Sequence, residues 1–551
     1  MNSDLAEIIN SRMCTGDGRV LRTVREWTTE AGQFTAFYFR SEVSHGGEVP
    51  VYAVLGIPLG QGPFPGVLHY HGGGQSAWPH LVEALVRYGY AAISFDWTGP
   101  FEEREHVTRW PESDVRYSAV TPDESYLIRA LNAARQCLNL LVAHPKVDGE
   151  RLGEFGISWG GLQTWLLNAV DDRLKAAIAI YGCGITPGQA SCYFRDEVKR
   201  FGGFDEKRWF ELFHPENYAH SQHAPVLFIN GTNDFFGWMN TYRQLAGKLD
   251  SRHRCAFAPH ISHGVAALNP TILSWLDHHL RGRAFPQATQ LEVVKRMSGL
   301  VVRSPQLAGA ESAKFFVAAG KGVGPDYFWQ PIPAVLKAGV FTAQLPATAL
   351  TSPKAMVFAH QWLENGVESS SIPVRVNRVV NSTSRSARTR REVHFPLTPD
   401  LWYGRWDVDP FYPYSPLSVD VSRLGLECTA DDSRNQTYQF NTRLVVAPPY
   451  RPLPGDQFCC RLEGPIQDPI NLAVSKYTGS PREQRFQMDF PAVALAQGIQ
   501  LKELKDTAGK GLRNAAGISH LCLSGRMSDS GRVRLMTAGW QQVRTSLPSG
   551  S

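Results

Sequence analysis

The stretch RLGEFGISWGG, residues 151–161, sets a short apolar run directly before Gly156-Ile157-Ser158-Trp159-Gly160 and opens a helical pattern after it. A serine flanked by glycines in this way, between a strand and a helix, sits on a sharp, strained turn, where a side chain at either glycine would collide with neighbouring backbone. The turn pushes the hydroxyl out at the carboxyl end of the sheet. The helix N-terminus adds partial positive charge where an oxyanion would form. Alone, the pentapeptide is compatible with a mere tight turn; its strand-to-helix context makes Ser158 a candidate nucleophile.

Working outward, residues 19–58 read as strands, with TAFYFRSE and VPVYAVLGIP separated by the turn residues SHGGE, which predicts a hairpin leading into the core. GVLHY (66–70) is a short apolar strand ending in a glycine cluster, residues 80–88 show helical spacing, and AAISFD is another buried strand. Leu127, Ala130, Leu131, Ala134, Leu138 and Leu141 recur at helical steps within 122–143. After the serine motif come its helix, the strand AAIAIYG, the strand PVLFING and a closing helix, TILSWLDHHLRG. Alternating helices and continuously apolar strands predict an α/β catalytic domain over 1–286, a doubly wound, mostly parallel sheet covered on both faces. Beyond it, PVRVNRVV, EVHFPL, LSVDVSRLGLE, YQFNTRLVVAP, NLAVSKY and RVRLMTAGW alternate in polarity between turn clusters. Residues 287–551 are therefore expected to be all-β and sandwich-like, in one or two domains.

A serine hydroxyl is a poor nucleophile until a base takes its proton, and that base needs a carboxylate to fix its tautomer. PVLFING runs into Thr232-Asn233-Asp234, which puts Asp234 just past a strand end, and RCAFAPH leads to Ser262-His263-Gly264. Ser158, Asp234 and His263 thus occur in the chain order serine, acid, histidine. Asp234 as a cap of the following helix, and His260 in place of His263, stay open as alternatives. His71-Gly72-Gly73-Gly74 follows a strand, so the amides of Gly73 or Gly74, with that of Trp159, are the candidate oxyanion donors. Trp238 and Tyr181 lie near predicted strand ends and are candidate substrate-binding residues. Arg195, Lys199 and Arg200 could hold an anionic group or face solvent. The second His-Gly-Gly, at His45, reads as a hairpin turn.

HGGG after a strand, GISWGG at the serine, VDDRLKAAIAIYG, GTND, SHG and the closing WLDHHLRG together resemble the dienelactone hydrolase and acetyl xylan esterase branch of the α/β-hydrolases. The resemblance covers roughly residues 50–285. It implies an α/β-hydrolase fold and hydrolysis of a carboxylic ester through an acyl-enzyme, with neither metal nor organic cofactor. The substrate is then expected to be a small-molecule ester, with an acylated carbohydrate among the candidates. The elbow also resembles prolyl oligopeptidase-type peptidases, which usually carry a propeller ahead of the catalytic domain. A peptidase or amidase with the same triad is one alternative, and a non-catalytic binding protein retaining the fold is another. In the C-terminal half, Trp402, Tyr403, Trp406, Phe411, Tyr412 and Tyr414 read as domain core or as a sugar-stacking platform.

The chain of 551 residues has 43% hydrophobic and 19% charged residues and a net charge of +5, an ordinary globular composition. Without a dense basic run interleaved with aromatics, nucleic acid is not an expected partner. The apolar runs fall far short of the ~20 residues of a spanning helix, so no membrane association is expected either. Nine scattered cysteines without a CxxC pair read as free thiols in a reducing compartment. With no secretory pattern visible at Met1, cytoplasm is the default location. Self-association to a homo-oligomer is left open.

Overall fold

The computed structural model describes Glu7 and residues 18–44, 47–97, 105–108, 125–183, 206–234, 236–261, 263, 268–297, 299–319, 327–346 and 355–376. Further on it describes 392–395, 397, 402–403, 418–420, 425–429, 437–442, 445, 452, 456–476, 484–514, 518–528 and 532–542. The insertion with Arg195, Lys199 and Arg200 lies outside the described residues, as do Trp406, Phe411, Tyr412, Tyr414, His45, Ser262, Gly264 and the side chains of Trp402 and Tyr403.

The strands are β1 (Val20–Thr28), β2 (Gly32–Ser44), β3 (Gly47–Pro58), β4 (Phe64–Tyr70), β5 (Ala91–Phe95), β6 (Val147–Ile157), β7 (Leu174–Ile180), β8 (Val226–Gly231) and β9 (Arg254–Ala258). Between and after them come the helices α1 (Pro79–Arg87), α2 (Tyr126–Ala143), α3 (Trp159–Leu167), α4 (Glu206–Phe213), α5 (Met239–Ala246) and α6 (Pro270–Arg281). Local chemistry sets several of these boundaries. The Ser125 hydroxyl accepts the Leu127 amide at the start of α2, and Asn269 accepts Ile272 N–H at the start of α6. Gly282, with φ +69°, ends α6 in the left-handed conformation.

β5, β4, β6, β7, β8 and β9 are parallel neighbours, with β3 antiparallel to β5 and β2 to β3. β5 and β8 are buried at every position, as a sheet covered on both faces requires. α2 and α3 cover one face, where Leu127, Leu131, Leu138, Leu162 and Trp165 meet Leu68, Leu152, Ala177 and Phe228. α1 and α6 cover the other, where Leu81, Leu85, Ile272, Trp275 and Leu276 meet Val67, Phe155, Ile178 and Leu227. The catalytic-type half of the chain is thus an α/β-hydrolase-like doubly wound sheet.

The sheet does not stop at β9. After β10 (Glu292–Arg296) and β11 (Gly299–Pro305), the chain forms β12 (Ala310–Ala319), β13 (Phe328–Pro333), β14 (Val335–Lys337), β15 (Val340–Gln344), β16 (Met356–Leu363), β17 (Glu368–Ser370) and β18 (Val374–Arg375). β17 pairs with β9 through Ser370 and Cys255, and β16, β12 and β13 follow, so the described strands make one sheet of 14. Without β17, β9 would be an exposed edge, which explains why a strand from far along the chain lies there. β10, β11, β15 and β14 form a four-stranded sheet whose Val302 and Phe341 share a core with Phe315, Val317 and Val357 of the extension. The later strands lie in a six-stranded and a five-stranded sheet that share one core, with Phe458, Leu535 and Trp540 from the first and Leu472, Val474, Leu521 and Leu523 from the second. This C-terminal part is β-rich.

Glu154, on β6, is fully buried within the sheet. Burial holds its carboxyl well above the usual carboxylate range, Asp171 pushes the same way, and the Tyr70 hydroxyl opposes both. The fold therefore carries the neutral acid, while the unfolded chain ionises near 4.5. Such a group stabilises the fold below its unfolded pKa and loses that contribution as pH rises above it. Glu154→Gln should gain melting temperature relative to wild type as pH rises above the unfolded value near 4.5 toward neutrality. A difference that stays flat across this range would contradict the assignment.

Candidate active site

The serine, the acid, the histidine and the glycine loop all stand at the carboxyl ends of the parallel strands, where open α/β sheets bind ligands. Ser158 lies between β6 and α3 with φ +60° and ψ −118°, a conformation that costs a non-glycine residue about 1–3 kcal/mol. It is pinned from both sides, since Ser158 N–H donates to Ile180 O at 2.9 Å and its own carbonyl accepts Leu162 N–H at 3.1 Å. The glycines of the motif are required by crowding. A Cβ at Gly156 would stand 2.1 Å from Gly160 O, and one at Gly160 would stand 2.5 Å from Tyr70 O and 2.6 Å from His71 O.

The acid and the histidine meet. His263 Nδ1 and Asp234 Oδ2 are 2.5 Å apart, and both residues are buried. A carboxylate oxygen accepts, so Nδ1 carries the proton and Nε2 is left as the basic nitrogen. The other carboxylate oxygen, Oδ1, accepts the Phe236 amide at 2.7 Å and the Gly237 amide. These amides support the charge of Asp234 where water is excluded. Asn230 clamps the same loop by donating to Gly231 O at 2.7 Å and Gly237 O at 2.6 Å.

Tyr181 links the two halves. Its amide donates to Ile229 O at 2.8 Å, and its ring stacks on His263 with centroids 4.0 Å apart. The preceding Ile180 carbonyl holds Ser158 N–H, so the end of β7 touches the elbow with one residue and the histidine with the next. Trp238 is buried at the start of α5, and its carbonyl accepts the Cys183 thiol. His260 is buried on the same loop as His263 with φ +64°, and its amide donates to Thr232 Oγ1 at 2.8 Å. The acid thus contacts His263, and His260 takes part in the backbone support of the loop.

The glycine loop after β4 is held by His71. Its Nδ1–H donates to Gly72 O at 2.6 Å, and its Nε2 accepts the Trp97 amide at 3.2 Å. Trp97 in turn donates its indole N–H to His71 O at 2.9 Å. Gly72 N–H is spent on the Gln75 side chain at 2.8 Å, whereas among the described residues the Gly73 amide meets no acceptor. Gly73 lies against Trp159, so that a Cβ there would come 2.6 Å from the indole. Trp159 itself packs on Phe236 and Trp209, with centroids at 4.9 and 6.4 Å, and all are buried. This makes an aromatic wall beside the serine. Asp96, just past β5, accepts Ala77 N–H and Thr108 N–H at 2.7 and 2.9 Å and ties the surrounding loops together. Nothing in the sequence pattern singles out Asn230, Asp96 or His71 for these tasks: Asp96 and His71 reach backbone groups 12 to 26 residues away, and Asn230 acts on carbonyls within its own loop. Among the described residues no cluster of three or more His, Cys, Asp or Glu could hold a metal ion, and no helix is long and apolar enough to cross a membrane.

Fold and site geometry together define a domain of the α/β-hydrolase type. Residues 51–268 match the family model described as the dienelactone hydrolase family. Acyl-coenzyme A thioesterase 6 of Mus musculus is 24% identical over 213 residues, 36% of this chain and 46% of that protein. The peroxisomal succinyl-coenzyme A thioesterase of Mus musculus is 26% identical over 259 residues, 44% of this chain and 55% of that protein. The chain thus spans about half the length of these curated relatives. Acetyl xylan esterase 1 from Thermoanaerobacterium sp. JW/SL YS485 is a similar solved structure, with a TM-score of 0.38 and 17% identity over 48% of this chain and 89% of that one.

The crowding around the elbow generates a graded prediction. A Cβ at Gly160 meets backbone carbonyls that cannot move, whereas one at Gly73 meets the edge of a side chain. Gly160→Ala is expected to cost about 3 kcal/mol or more and Gly73→Ala about 1–3 kcal/mol in denaturant unfolding. Equal or reversed losses would mean that the elbow is looser than described.

Proposed function

We propose that the chain is a serine hydrolase that cleaves a carboxylic ester through an acyl-enzyme intermediate. The observation that carries this reading is the buried hydrogen bond between Asp234 and His263 at the carboxyl end of the sheet, joined to a serine held at positive φ through Ile180 and Tyr181. In this mechanism His263 Nε2 takes the proton of Ser158 as Oγ attacks the substrate carbonyl carbon. The carbonyl oxygen becomes an oxyanion, which the amides of Trp159 and Gly73 stabilise, with Gly74 as the alternative donor from the loop. Collapse breaks the bond to the alcohol, which leaves with the proton from His263. Water then attacks the acyl-enzyme, giving its proton to the same nitrogen; collapse breaks the bond to Ser158 Oγ, which takes the proton back from His263 as the acid is released.

The Gly72 amide is already committed to Gln75, which favours Gly73 as the donor. Trp159, Phe236 and Trp209 would line the acyl side of the site. Tyr181 would support the histidine ring from beneath, and Trp238 would close the pocket near Cys183. On this reading residues 1–286 form the catalytic unit, the β-rich remainder includes a sandwich built from the two last sheets, and an acylated carbohydrate is among the candidate substrates. Thioester cleavage is the second reading, favoured by the names of the thioesterase relatives.

The reading predicts that a fluorophosphonate labels wild type once per chain and leaves Ser158→Ala unlabelled, as seen by intact mass. Nitrophenyl ester turnover should vanish in Ser158→Ala and fall roughly 10³- to 10⁴-fold in Asp234→Asn, both still folded. Retention of most esterase activity by Ser158→Ala would sink the assignment. A kcat/KM for acyl-coenzyme A far above that for oxygen esters would instead select the thioester reading.

A further inference from the structure

We propose that Tyr327, Phe328 and Trp329, at the start of β13, are positioning residues for the acid and base loops, so that the C-terminal region is part of the catalytic apparatus. The inference rests on the serine hydrolase reading above and adds to it the role of the β-rich half.

The loop after β8 carries Thr232, Asn233 and Asp234, and the loop after β9 carries His260 and His263. They are stitched to each other: Thr232 N–H donates to Ala258 O and Asn233 N–H to Ile261 O, each at 3.0 Å. Thr232 Oγ1 accepts the His260 amide at 2.8 Å and donates to Asn233 Oδ1 at 3.0 Å. Onto this pair of loops the distant segment 327–329 makes one contact from each residue. Asn233 Nδ2 donates to Tyr327 O at 2.6 Å. Trp329 Nε1 donates to Thr232 O at 3.3 Å. The Phe328 ring stacks on His260, with centroids 5.3 Å apart.

These contacts are buried, since none of Thr232, Asn233, Tyr327, Phe328 and Trp329 exceeds 2% exposure. They also close a ring of structure. β13 follows β12, β16 and β17 back to β9, the strand that feeds the histidine loop, and the Trp329 ring packs on Phe358, which packs on Phe257 of β9. Phe328 belongs at the same time to the core of the last two sheets, which also holds Phe395 and Phe458. One residue therefore connects that core to the turn in which His260 is held at positive φ, two residues from the end of β9 and three before His263. A small shift of 327–329 would move the acid and the histidine together relative to Ser158, whose own supports come from β7 and α3.

The test compares two variants at the contact with one outside it. Trp329→Phe removes the indole donor to Thr232 O and keeps a ring in the core, and Phe328→Leu removes the stack on His260. Phe341→Leu, in the core of the four-stranded sheet, serves as a control that loses packing away from both loops. For each variant the melting temperature, kcat, KM and the pH profile of kcat/KM on a nitrophenyl ester are measured. Misplacement of the acid and base predicts that Trp329→Phe and Phe328→Leu lower kcat about 10- to 100-fold and shift the acid limb of the profile, with KM within about twofold. Phe341→Leu should lower only the melting temperature. Wild-type kcat and pH profile in Trp329→Phe would overturn the proposal, and this variant alone decides if Phe328→Leu does not fold. A wild type that neither turns over esters nor labels at Ser158 would overturn the functional reading and this proposal with it.

Discussion

Under Ser158 the backbone of α3 crosses the ends of β4 and β7 so closely that there is no space for a Cβ at Gly156, Gly160 or Gly161, where ideal Cβ atoms would stand 2.1 to 2.5 Å from carbonyl oxygens. Everything else about the site depends on this crossing. It lets β6 turn directly into a helix, forces the serine into a positive φ, and projects that residue beyond the sheet. The strain, about 1–3 kcal/mol, is sustained because Ile180 O and Leu162 N–H hold Ser158 from opposite sides.

Around the crossing, polar groups are buried but matched. His71 serves the glycine loop as a donor and an acceptor at once, a division of labour that only the neutral ring can perform. His69 below it is pushed well below its ordinary pKa by burial, with His71 adding to the shift. Asp96 takes two backbone amides, and the Asp234 carboxylate takes two more besides the His263 proton. These groups fix loops whose sequences are otherwise free to vary in conformation, and they leave His263 with one defined tautomer.

The β-rich half is structurally joined to this centre. β17 covers the edge of β9, and the strands beyond it extend the same sheet while another sheet packs on their far face. His360, buried in β16, donates to or accepts from Ser370 Oγ at 2.7 Å, and that oxygen also accepts the Phe257 amide of β9. Burial lowers the His360 pKa to about 3, with Lys314 pushing the same way, which favours the neutral imidazole at this junction.

Much of this was legible in the chain. The continuous apolar strands, the spacing in α2 and α6 and the glycine-bracketed serine each express a local rule, because strand burial, helix periodicity and tight turns are decided by residues near one another. The order of Ser158, Asp234 and His263 followed from strand ends read in succession. What the sequence did not disclose were the contacts between segments far apart: Asp96 tying Ala77 to Thr108, Tyr181 stacking on His263, and residues 327–329 bracing both loops. The change of pattern after Pro286 likewise gave no sign that β12, β13, β16 and β17 would rejoin the first sheet. The sequence by itself determined the elements and the residue types able to do chemistry, since those depend on local sterics and polarity. Only the tertiary structure decided which backbone groups those side chains meet, because such pairings depend on how distant strands come to lie side by side.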